Sequence, residues 1–511
     1  MSQSTETRPS PPAAAPPRGN LRSSGKLTGV EHSKTGSRGL RGTLAAELSA
    51  RDVHGGVSED AYNLIKFHGA YEQFDRDTAT PRKQAGLDKE WSFMSRVRIP
   101  GGALSAAQYL EMDRLADAHS NGTLRITTRQ CIQFHAVLRE NLKPNIGDIE
   151  RALLTTMAAC GDVVRNVTTT PAPRRDAIHA ELQRAAEMLS TRLLPRTRAH
   201  VEIFLDDEPV GEAARGGTEA DPLYGATYLP RKFKIGLAHP SDNTPDLLTN
   251  DLGFLAVSEG APGEERVVAW QVLIGGGLGM THNRPDTFPY MARAVTVVPA
   301  HDLLRAAEAV VRFQRDHGDR TDRKRARLKY VVHDHGLEWV REQLAGPEYF
   351  GHPLADPGPL PRLEMPELLG WHAQGDGRFW LGVPVPSGRI ADHGAMRLRT
   401  ALRAIVGQWN CDPVLTPQQD VLLSNLPADA RAPVEAVLRA HGVALSEDLS
   451  PLHRWALACP ALPTCGLALS EAERIRDPLV AQIEAALDRH DLLDERISLR
   501  ITGCPNGCTR P

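Results

Sequence analysis

The sequence predicts an α+β protein assembled from two related halves. Two segments with alternating, strand-like pattern, residues 91–99 and 123–138, flank a stretch with helical spacing over 105–119. A second set in the same order lies over 379–426. At 511 residues the chain is too long for one hydrophobic core, so we expect two to four domains.

The two sets are similar enough to indicate a gene duplication. The matching pairs are VRIPGGALS (97–105) with VPVPSGRIA (383–391), and LRITTRQCIQFH (124–135) with PVLTPQQDVLLS (413–424). The spacing from Pro100 to Thr127 is also close to the spacing from Pro386 to Thr416. Duplication explains both observations, and the alternative is a chance similarity between two strand–helix–strand units.

Four arginines of the first copy are missing from the second. The aligned pairs are Arg96 with Leu381, Arg98 with Val383, Arg125 with Val414, and Arg129 with Gln418. This difference predicts that the first half binds an anionic ligand and that its twin has a structural role.

Composition excludes several classes of protein. The net charge of −3 argues against a nucleic-acid partner, and no stretch of 18 apolar residues indicates a membrane span. The N-terminus is rich in Pro, Ser and Ala without an apolar segment, so we expect a disordered leader rather than a secretory signal. A short helix is predicted around Leu44–Leu48. The chain is therefore expected in the reducing cytoplasm, where cysteines are thiols or metal ligands.

Four of the seven cysteines form two pairs near the C-terminus. Cys459 and Cys465 make the first pair, Cys504 and Cys508 make the second, and residues 466–503 separate them. Both gaps are wider than in a zinc ribbon, which favours a 4Fe–4S cluster, while zinc and unmetallated thiols remain alternatives. The other three cysteines are expected to be ordinary buried residues: Cys131, Cys160 and Cys411.

The cysteine segments ACPALPTCG and GCPNGC resemble the signature of the sirohaem-containing sulfite and nitrite reductases. The resemblance extends through KFHGAYEQFDRD, SRVRIPGG, LRITTRQ, TYLPRKFK, LIGGGL and DRTDRKRARLKY, and covers residues 60–508. It implies two ferredoxin-like half-domains, each leading into a mixed α+β domain, related by pseudo-twofold symmetry with the cofactors at their junction.

The resemblance also sets the expected domain limits. They are a disordered leader and arm at 1–55, an N-terminal arm with the first half-domain at 56–158, the first sirohaem domain at 159–345, the second half-domain at 346–432, and the second sirohaem and cluster domain at 433–511. Members of the family continue for several tens of residues beyond the last cysteine. We therefore expect the second domain to be truncated at Pro511, which puts cofactor binding in question.

Cofactor ligands follow from the matched motifs. Cys459, Cys465, Cys504 and Cys508 match the 4Fe–4S ligands, and Cys508 matches the cysteine that also bridges to the sirohaem iron. Sirohaem carries eight carboxylates, which arginine and lysine bind well. The positions that match its contacts are Arg125, Thr127, Arg129 and His135, and the basic run 320–329 is a further candidate.

Four basic residues match the substrate-binding positions of the family: Arg96, Arg165, Lys232 and Lys234. If Lys232 and Lys234 lie on a strand, both side chains point to one face. Clustered cations disfavour each other's protonated forms, which would lower the lysine pKa values toward a range useful for proton donation. In isolation each of these residues would be read as a surface cation, and the ordered set of motifs favours the functional interpretation.

The resemblance implies six-electron reduction of sulfite to sulfide, in the assimilation of sulfate sulfur. No flavin or NADPH site is recognisable, so electrons must come from a partner, either an NADPH diflavin reductase subunit, which is slightly favoured, or ferredoxin. Alternatives are a ferredoxin-dependent nitrite reductase that makes ammonia, a zinc-stabilised arginine-rich binding protein without catalysis, and an inactive remnant.

Overall fold

The computed structural model of the chain describes residues 26–50, 55–197, 199–200, 204–205, 208–209, 220–261 and 263–510. The N-terminal part contains three short helices, α1 (Gly29–Thr35), α2 (Leu44–Ser49) and α3 (Glu59–Ile65). The prediction of a disordered leader is therefore wrong at α1, whereas the short helix predicted around Leu44–Leu48 is confirmed by α2. Residues 1–25 and 51–54 lie outside the described part.

A buried ion cluster holds this N-terminal segment against the body. The Lys34 ammonium is fully buried, donates to Glu31 Oε1 at 2.5 Å and to the Leu229 carbonyl at 2.8 Å, and lies 3.5 Å from Asp162. Glu31 in turn accepts from Arg320 at 2.6 Å. Composition alone could not reveal this docking, because it depends on four charged residues that are far apart in the sequence.

The first half-domain is an antiparallel sheet covered by helices. Its strands have the order β1-β2-β4-β3, and the helix between β2 and β3 begins with a capping box at Ser105 and Gln108. The elements are β1 (Ala70–Phe74), α4 (Arg76–Gln84), β2 (Trp91–Val97), α5 (Ala106–His119), β3 (Leu124–Ile126), β4 (Ile132–Val137) and α6 (Arg139–Arg151).

A mixed domain follows, with a four-stranded sheet in the order β10-β9-β8-β7. Strands β7 and β8 are parallel and the other pairs are antiparallel. The elements are α7 (Ala177–Arg192), β5 (Phe204–Leu205), β6 (Glu208–Pro209), β7 (Ile235–Ala238), β8 (Leu252–Glu259), β9 (Arg266–Ile274), β10 (Arg293–Pro299), α8 (Leu303–His317), α9 (Leu328–His335) and α10 (Leu337–Leu344).

The remaining chain forms the second half-domain and a short C-terminal region. The elements are β11 (Gly370–Ala373), β12 (Phe379–Val383), β13 (Arg389–Ile390), β14 (Asp392–His393), β15 (Met396–Arg397), α11 (Leu398–Trp409), β16 (Asp412–Leu415), β17 (Val421–Leu426), α12 (Arg431–Ala440), α13 (Pro451–Arg454), β18 (Ala456–Ala458), α14 (Arg476–Asp488) and β19 (Leu499–Ile501). Strand order β11-β12-β17-β16 repeats the order of the first sheet, so the predicted duplication is confirmed.

The predicted alignment of two arginines was wrong by one residue. Arg96 pairs with Gln133 across β2 and β4, while Gly382 pairs with Leu422 across β12 and β17. Because the Thr127 and Thr416 turns are equivalent, Gln133 corresponds to Leu422. Arg96 therefore corresponds to Gly382 rather than Leu381, and Arg98 corresponds to Pro384 rather than Val383. The conclusion that the second copy lacks these cations stands.

The two half-domains pair with each other reciprocally. Arg389, just after the Pro-Ser-Gly turn, pairs with Arg125 of β3, and Ala103, just after the Pro-Gly-Gly turn, pairs with Val414 of β16. At the first contact a Cβ on Gly388 would lie 2.3 Å from the Ile126 carbonyl oxygen. At the second, a Cβ on Gly102 would lie 2.3 Å from the Leu415 oxygen. The sequence analysis did not predict this interlock.

One continuous apolar core joins both half-domains to the first mixed domain, and a smaller cluster of buried side chains surrounds Cys459. Of the helices in the described ranges, none combines the length and the apolar character needed to cross a membrane. Strand β3 lies beside the first cysteine segment, where Arg125 donates to the carbonyl of Ala458.

Replacing Gly102 with Ala should destabilise the whole molecule. The new methyl group meets a main-chain oxygen of the other half, and the backbone has φ +79°, so we expect a loss of more than about 2 kcal/mol. Gly407→Ala is the matched control, because Gly407 lies in α11, where an added methyl group would have open space around it, and should gain about 1 kcal/mol. Denaturant unfolding measures both, and equal stability of the two variants would contradict the interlock.

Candidate functional site

An open cavity lies between the first mixed domain and the C-terminal cysteine segment. Seven of the residues that line it are cations, and none of the described lining residues is Asp or Glu. We call it the cation cavity, and its cations are Arg231, Lys232, Lys234, Arg323, Lys324, Arg327 and Arg510. Asp251, Asp162 and Asp246 behind the wall pair with Arg327, Arg323 and Arg510. The cavity surface itself carries no carboxylate, and an excess of positive charge there attracts anions.

Lys232 and Lys234 both face the cation cavity, on the extended segment that leads into β7. The side chain of Phe233, between the two lysines, is fully buried. The Phe233 amide donates to the Val163 carbonyl, and the Phe233 carbonyl accepts from the Arg165 amide. Burial and the neighbouring Arg231 lower the pKa of Lys232 to about 7. Burial, Arg327 and Lys232 hold the pKa of Lys234 well below its ordinary value.

The two predicted substrate arginines lie behind these lysines. Arg165 is buried, donates to the Ala159 carbonyl at 2.8 Å, and is among the charges that lower the pKa of Lys232. Arg96 lies on β2, and its Nε is buried without a hydrogen-bond partner. The lysines therefore line the cavity, whereas Arg165 lies close enough to act on Lys232 without lining it, and Arg96 and Arg165 both lie near Tyr71.

The four residues predicted to hold sirohaem differ in whether their polar groups already have hydrogen-bond partners within the chain. Arg125 donates to the Ala458 carbonyl at 2.8 Å and pairs with Glu473, and the Thr127 hydroxyl accepts from the Arg129 amide at 3.2 Å. Their polar groups already have partners within the chain. Arg129 and His135, in contrast, have buried nitrogens without partners, namely Arg129 Nε and both ring nitrogens of His135.

The four C-terminal cysteines are brought together by one pair of parallel strands. Strand β18 leads into Cys459, β19 leads toward Cys504, and Ala458 pairs with Ile501. The Gly503 amide donates to Cys459 Sγ at 3.3 Å. Burial raises the pKa of Cys459 to about 11, and Cys508 is close enough to add to this shift.

The donor set fits an iron–sulfur cluster. Four thiols converge from two loops, yet within the described ranges no three Cys, His, Asp or Glu side chains are close enough to hold one metal ion. A cluster binds each thiolate at a different iron, so its ligands stand farther apart than those of a single zinc ion.

The cation cavity fits an acidic macrocycle because guanidinium groups in and near it lack hydrogen-bond acceptors. Arg510, which lines the cavity, has a buried Nε without a partner, as do Arg96 and Arg129 outside the lining, and such a group is costly unless an acceptor satisfies it. Carboxylates are the natural acceptors for guanidinium groups. Cys508 also acts electrostatically on Lys232, so the cysteine segment and the cavity meet.

Sequence reasoning missed three residues of the site. Arg231 and Arg510 line the cation cavity, and Asp251 is the carboxylate that positions Arg327, which donates to it at 3.1 and 2.7 Å. Asp251 also accepts from the Lys234 amide at 2.9 Å. Arg231 had a signal, since it adjoins Lys232 in PRKFK, but nothing around Asp251 in the sequence indicates its partner.

Two family descriptions match the chain. "Nitrite and sulphite reductase 4Fe-4S domain" matches residues 184–354, and "Nitrite/Sulfite reductase ferredoxin-like half domain" matches residues 88–152 and 372–441. The second match falls on both duplicated sheets.

The names of individual relatives agree with these two family descriptions. A protein of Myxococcus xanthus named "Sulfite reductase [NADPH] hemoprotein beta-component" is 44% identical over 485 residues, which cover 95% of this chain and 84% of that protein. A "Sulfite reductase [ferredoxin]" of Synechococcus elongatus is 42% identical over 503 residues, covering 95% and 78%. The solved structure of Mycobacterium tuberculosis NirA has the same fold, with a TM-score of 0.75 at 24% identity, covering 96% of this chain and 84% of that one.

Fold, cation cavity and cysteine loops together define a reductase of small oxyanions with an iron–sulfur centre. The chain belongs to the nitrite and sulfite reductase family. The predicted family and fold class are confirmed, and its cofactors are sirohaem and a 4Fe–4S cluster, as the resemblance implied.

Replacing Asp251 with Asn should unfold the wall of the cation cavity. It leaves the buried Arg327 guanidinium without its carboxylate, and breaking such a pair costs about 3–5 kcal/mol. Asp286→Asn is the control, because Asp286 pairs with Arg284 at an exposed position and should change stability by less than about 1 kcal/mol. Thermal unfolding compares the two variants, and a small effect at Asp251 would contradict the structural role of the pair.

Proposed function

We propose that this chain reduces sulfite to sulfide, taking up six electrons and releasing the three oxygens as water. The observation that carries the proposal is the cation cavity, where two lysines without carboxylate partners lie beside Cys508. A small oxyanion needs positive charge to bind and proton donors to lose its oxygens, and the cavity offers both.

Binding of the oxyanion is assigned to Lys232 and Lys234, with Arg96 and Arg165 behind them. Among the described ion pairs, none involves Lys232, Lys234, Arg96 or Arg165. Their charge therefore remains available to a ligand, and a trigonal oxyanion with three oxygens can be shared among several donors. Arg165 is anchored by main-chain carbonyls, which orient the guanidinium without neutralising it.

Lys232 is the proposed proton donor. With a pKa of about 7, its ammonium both holds a proton at neutral pH and gives it up readily, which is the property required of a general acid. Lys234, whose pKa is also lowered by burial, Arg327 and Lys232, is assigned to binding the oxyanion. Each S–O bond that breaks takes up two electrons and two protons, so that the oxygen leaves as water, and Lys232 is proposed to deliver protons in these steps.

Sirohaem and the 4Fe–4S cluster, when bound, supply the electrons to the sulfur. Cys459, Cys465, Cys504 and Cys508 are the residues that would hold the cluster, and Cys508 is also assigned to the sirohaem site. Arg129 and Arg510 are proposed to bind the macrocycle's carboxylates, together with the members of the basic run 320–329 that line the cavity, namely Arg323, Lys324 and Arg327. His135, which lies near Arg125 and Arg96, is a further proposed contact. Arg125 and Thr127 are proposed to support this site through the main chain.

The electron donor is a separate protein. The Myxococcus xanthus relative is named for NADPH and the Synechococcus elongatus relative for ferredoxin. We favour an NADPH diflavin reductase subunit, with ferredoxin as the alternative, and the cytoplasm as the location.

Replacing Lys232 with Gln should lower sulfite turnover by about 100-fold while leaving the sirohaem content near that of the unaltered protein, because a general acid contributes about that factor. The sulfite-reducing activity of the unaltered enzyme should fall as pH rises through about 7, because the Lys232 ammonium loses its proton there. The variant should not show this decrease. Lys143→Gln, at an exposed position on α6, is the control. Equal loss of sirohaem and turnover would contradict the proton-donor role.

Purified protein from a host that makes sirohaem should contain about five iron atoms per chain, four in the cluster and one in the haem. With one artificial electron donor, its rate should be higher with sulfite than with nitrite. Zinc at one per chain would instead support the non-catalytic binding protein, and a higher nitrite rate would support a nitrite reductase. A colourless, metal-free protein would support an inactive remnant.

A further inference from the structure

Lys329, the second residue of α9, makes an unusual set of contacts. Its side chain is fully buried, and Nζ donates to the carbonyls of Gly277 at 3.0 Å, Gly279 at 2.8 Å and Phe288 at 2.5 Å. Within the described ranges no carboxylate forms an ion pair with it. The charged groups around it are Arg325, Arg327 and Asp251, and burial together with Arg327 lowers its pKa to about 7.

The protonated form of Lys329 matches these three acceptors. An ammonium has three N–H donors and no acceptor, so each hydrogen can serve one carbonyl. The three carbonyls belong to one segment, residues 275–291, which we call the glycine loop. Lys329 therefore ties both ends of this loop to α9 from inside the protein.

The glycine loop in turn touches the cysteine segment. The Met280 amide donates to the Pro505 carbonyl at 2.7 Å, directly after Cys504. A Cβ on Gly279 would lie 2.4 Å from the Asn506 carbonyl oxygen, so the two main chains pack without an intervening side chain. Leu278, Gly279 and Met280 also line the cation cavity, as do Asn506 and Gly507.

We propose that Lys329 is a positioning residue for the cluster, because its buried ammonium fixes the glycine loop against the loop that bears Cys504 and Cys508. The inference rests on the proposed function, since it concerns the reductase's cofactor site. Lys329 touches neither substrate nor cofactor, and it acts through the Met280–Pro505 contact.

Hydrogen exchange on the full chain, purified with its cofactors, tests the contact directly. In the unaltered protein the Met280 amide should exchange as slowly as the Gly276 amide, which bonds to Asn250 outside the contact. In Lys329→Met, which keeps the side-chain length but has no donor, Met280 exchange should accelerate about tenfold or more while Gly276 stays protected. Lys329→Arg keeps donors and charge, and should restore part of the protection.

The spectrum of the bound cofactors supplies the second readout. Lys329→Met should shift the electron paramagnetic resonance signal of the reduced cluster, and Lys329→Arg should move it back. Leu344→Ala, a buried residue of α10 away from the loop, controls for a general loss of stability and should leave the signal unchanged. Rapid Met280 exchange in the unaltered protein overturns the proposal even if Lys329→Met fails to fold. The proposal is also overturned if Lys329→Met accelerates hydrogen exchange equally at the Met280 and Gly276 amides. An electron paramagnetic resonance signal that does not shift in this variant overturns it as well.

Failure of this inference and failure of the proposed function are distinguishable. The exchange pattern tests the contact whether or not sulfite is reduced. A protein that shows the pattern but no turnover would retain the positioning role and lose the sulfite assignment.

Discussion

The structure depends on keeping positive charge inside the protein without cancelling it. Arg98 is 2% exposed and donates to the carbonyls of Ala158, Val164 and Ser190, and Arg129 donates to those of Asn166 and Ile235. Carbonyl dipoles satisfy the N–H donors, yet they carry no net charge. The interior around Arg98 and Arg129 thus keeps its positive charge, which is the condition for receiving an acidic macrocycle and an oxyanion at one place.

The two half-domains share a backbone fold and differ in the side chains that it carries. The turns at Thr127 and Thr416 have the same main-chain pattern, with Gln130 and Gln419 each at positive φ and each packed against a glycine of the facing turn. Arg129 occupies the place that Gln418 holds in the twin. One half could therefore lose its cations while the shared backbone stayed intact, because the turn is held by main-chain bonds that do not depend on those side chains.

The sequence predicted the large features because they are repeated or local. The duplicated sheets, the lysines on one side of an extended segment, and the two cysteine pairs each follow from spacing along the chain. Helix α1 was missed because composition indicates disorder, whereas Lys34 finds its partners around Asp162 and Leu229. Asp251 escaped for the same reason, and so did the contacts of Lys329 within the predicted basic run, since both arise from segments joined only by tertiary folding. The one-residue error at Arg96 shows that a strand alignment needs the pairing register as well as the pattern.

The reciprocal pairing of Gly102 and Gly388 with the opposite half has the geometry of a twofold dimer, in which the same patch serves both partners. Here a covalent chain joins the partners, so their local concentration stays fixed at any dilution. A dimer of identical subunits carries every substitution twice, once at each related position. Fusion removed that constraint, and it let one interface carry a single asymmetric site.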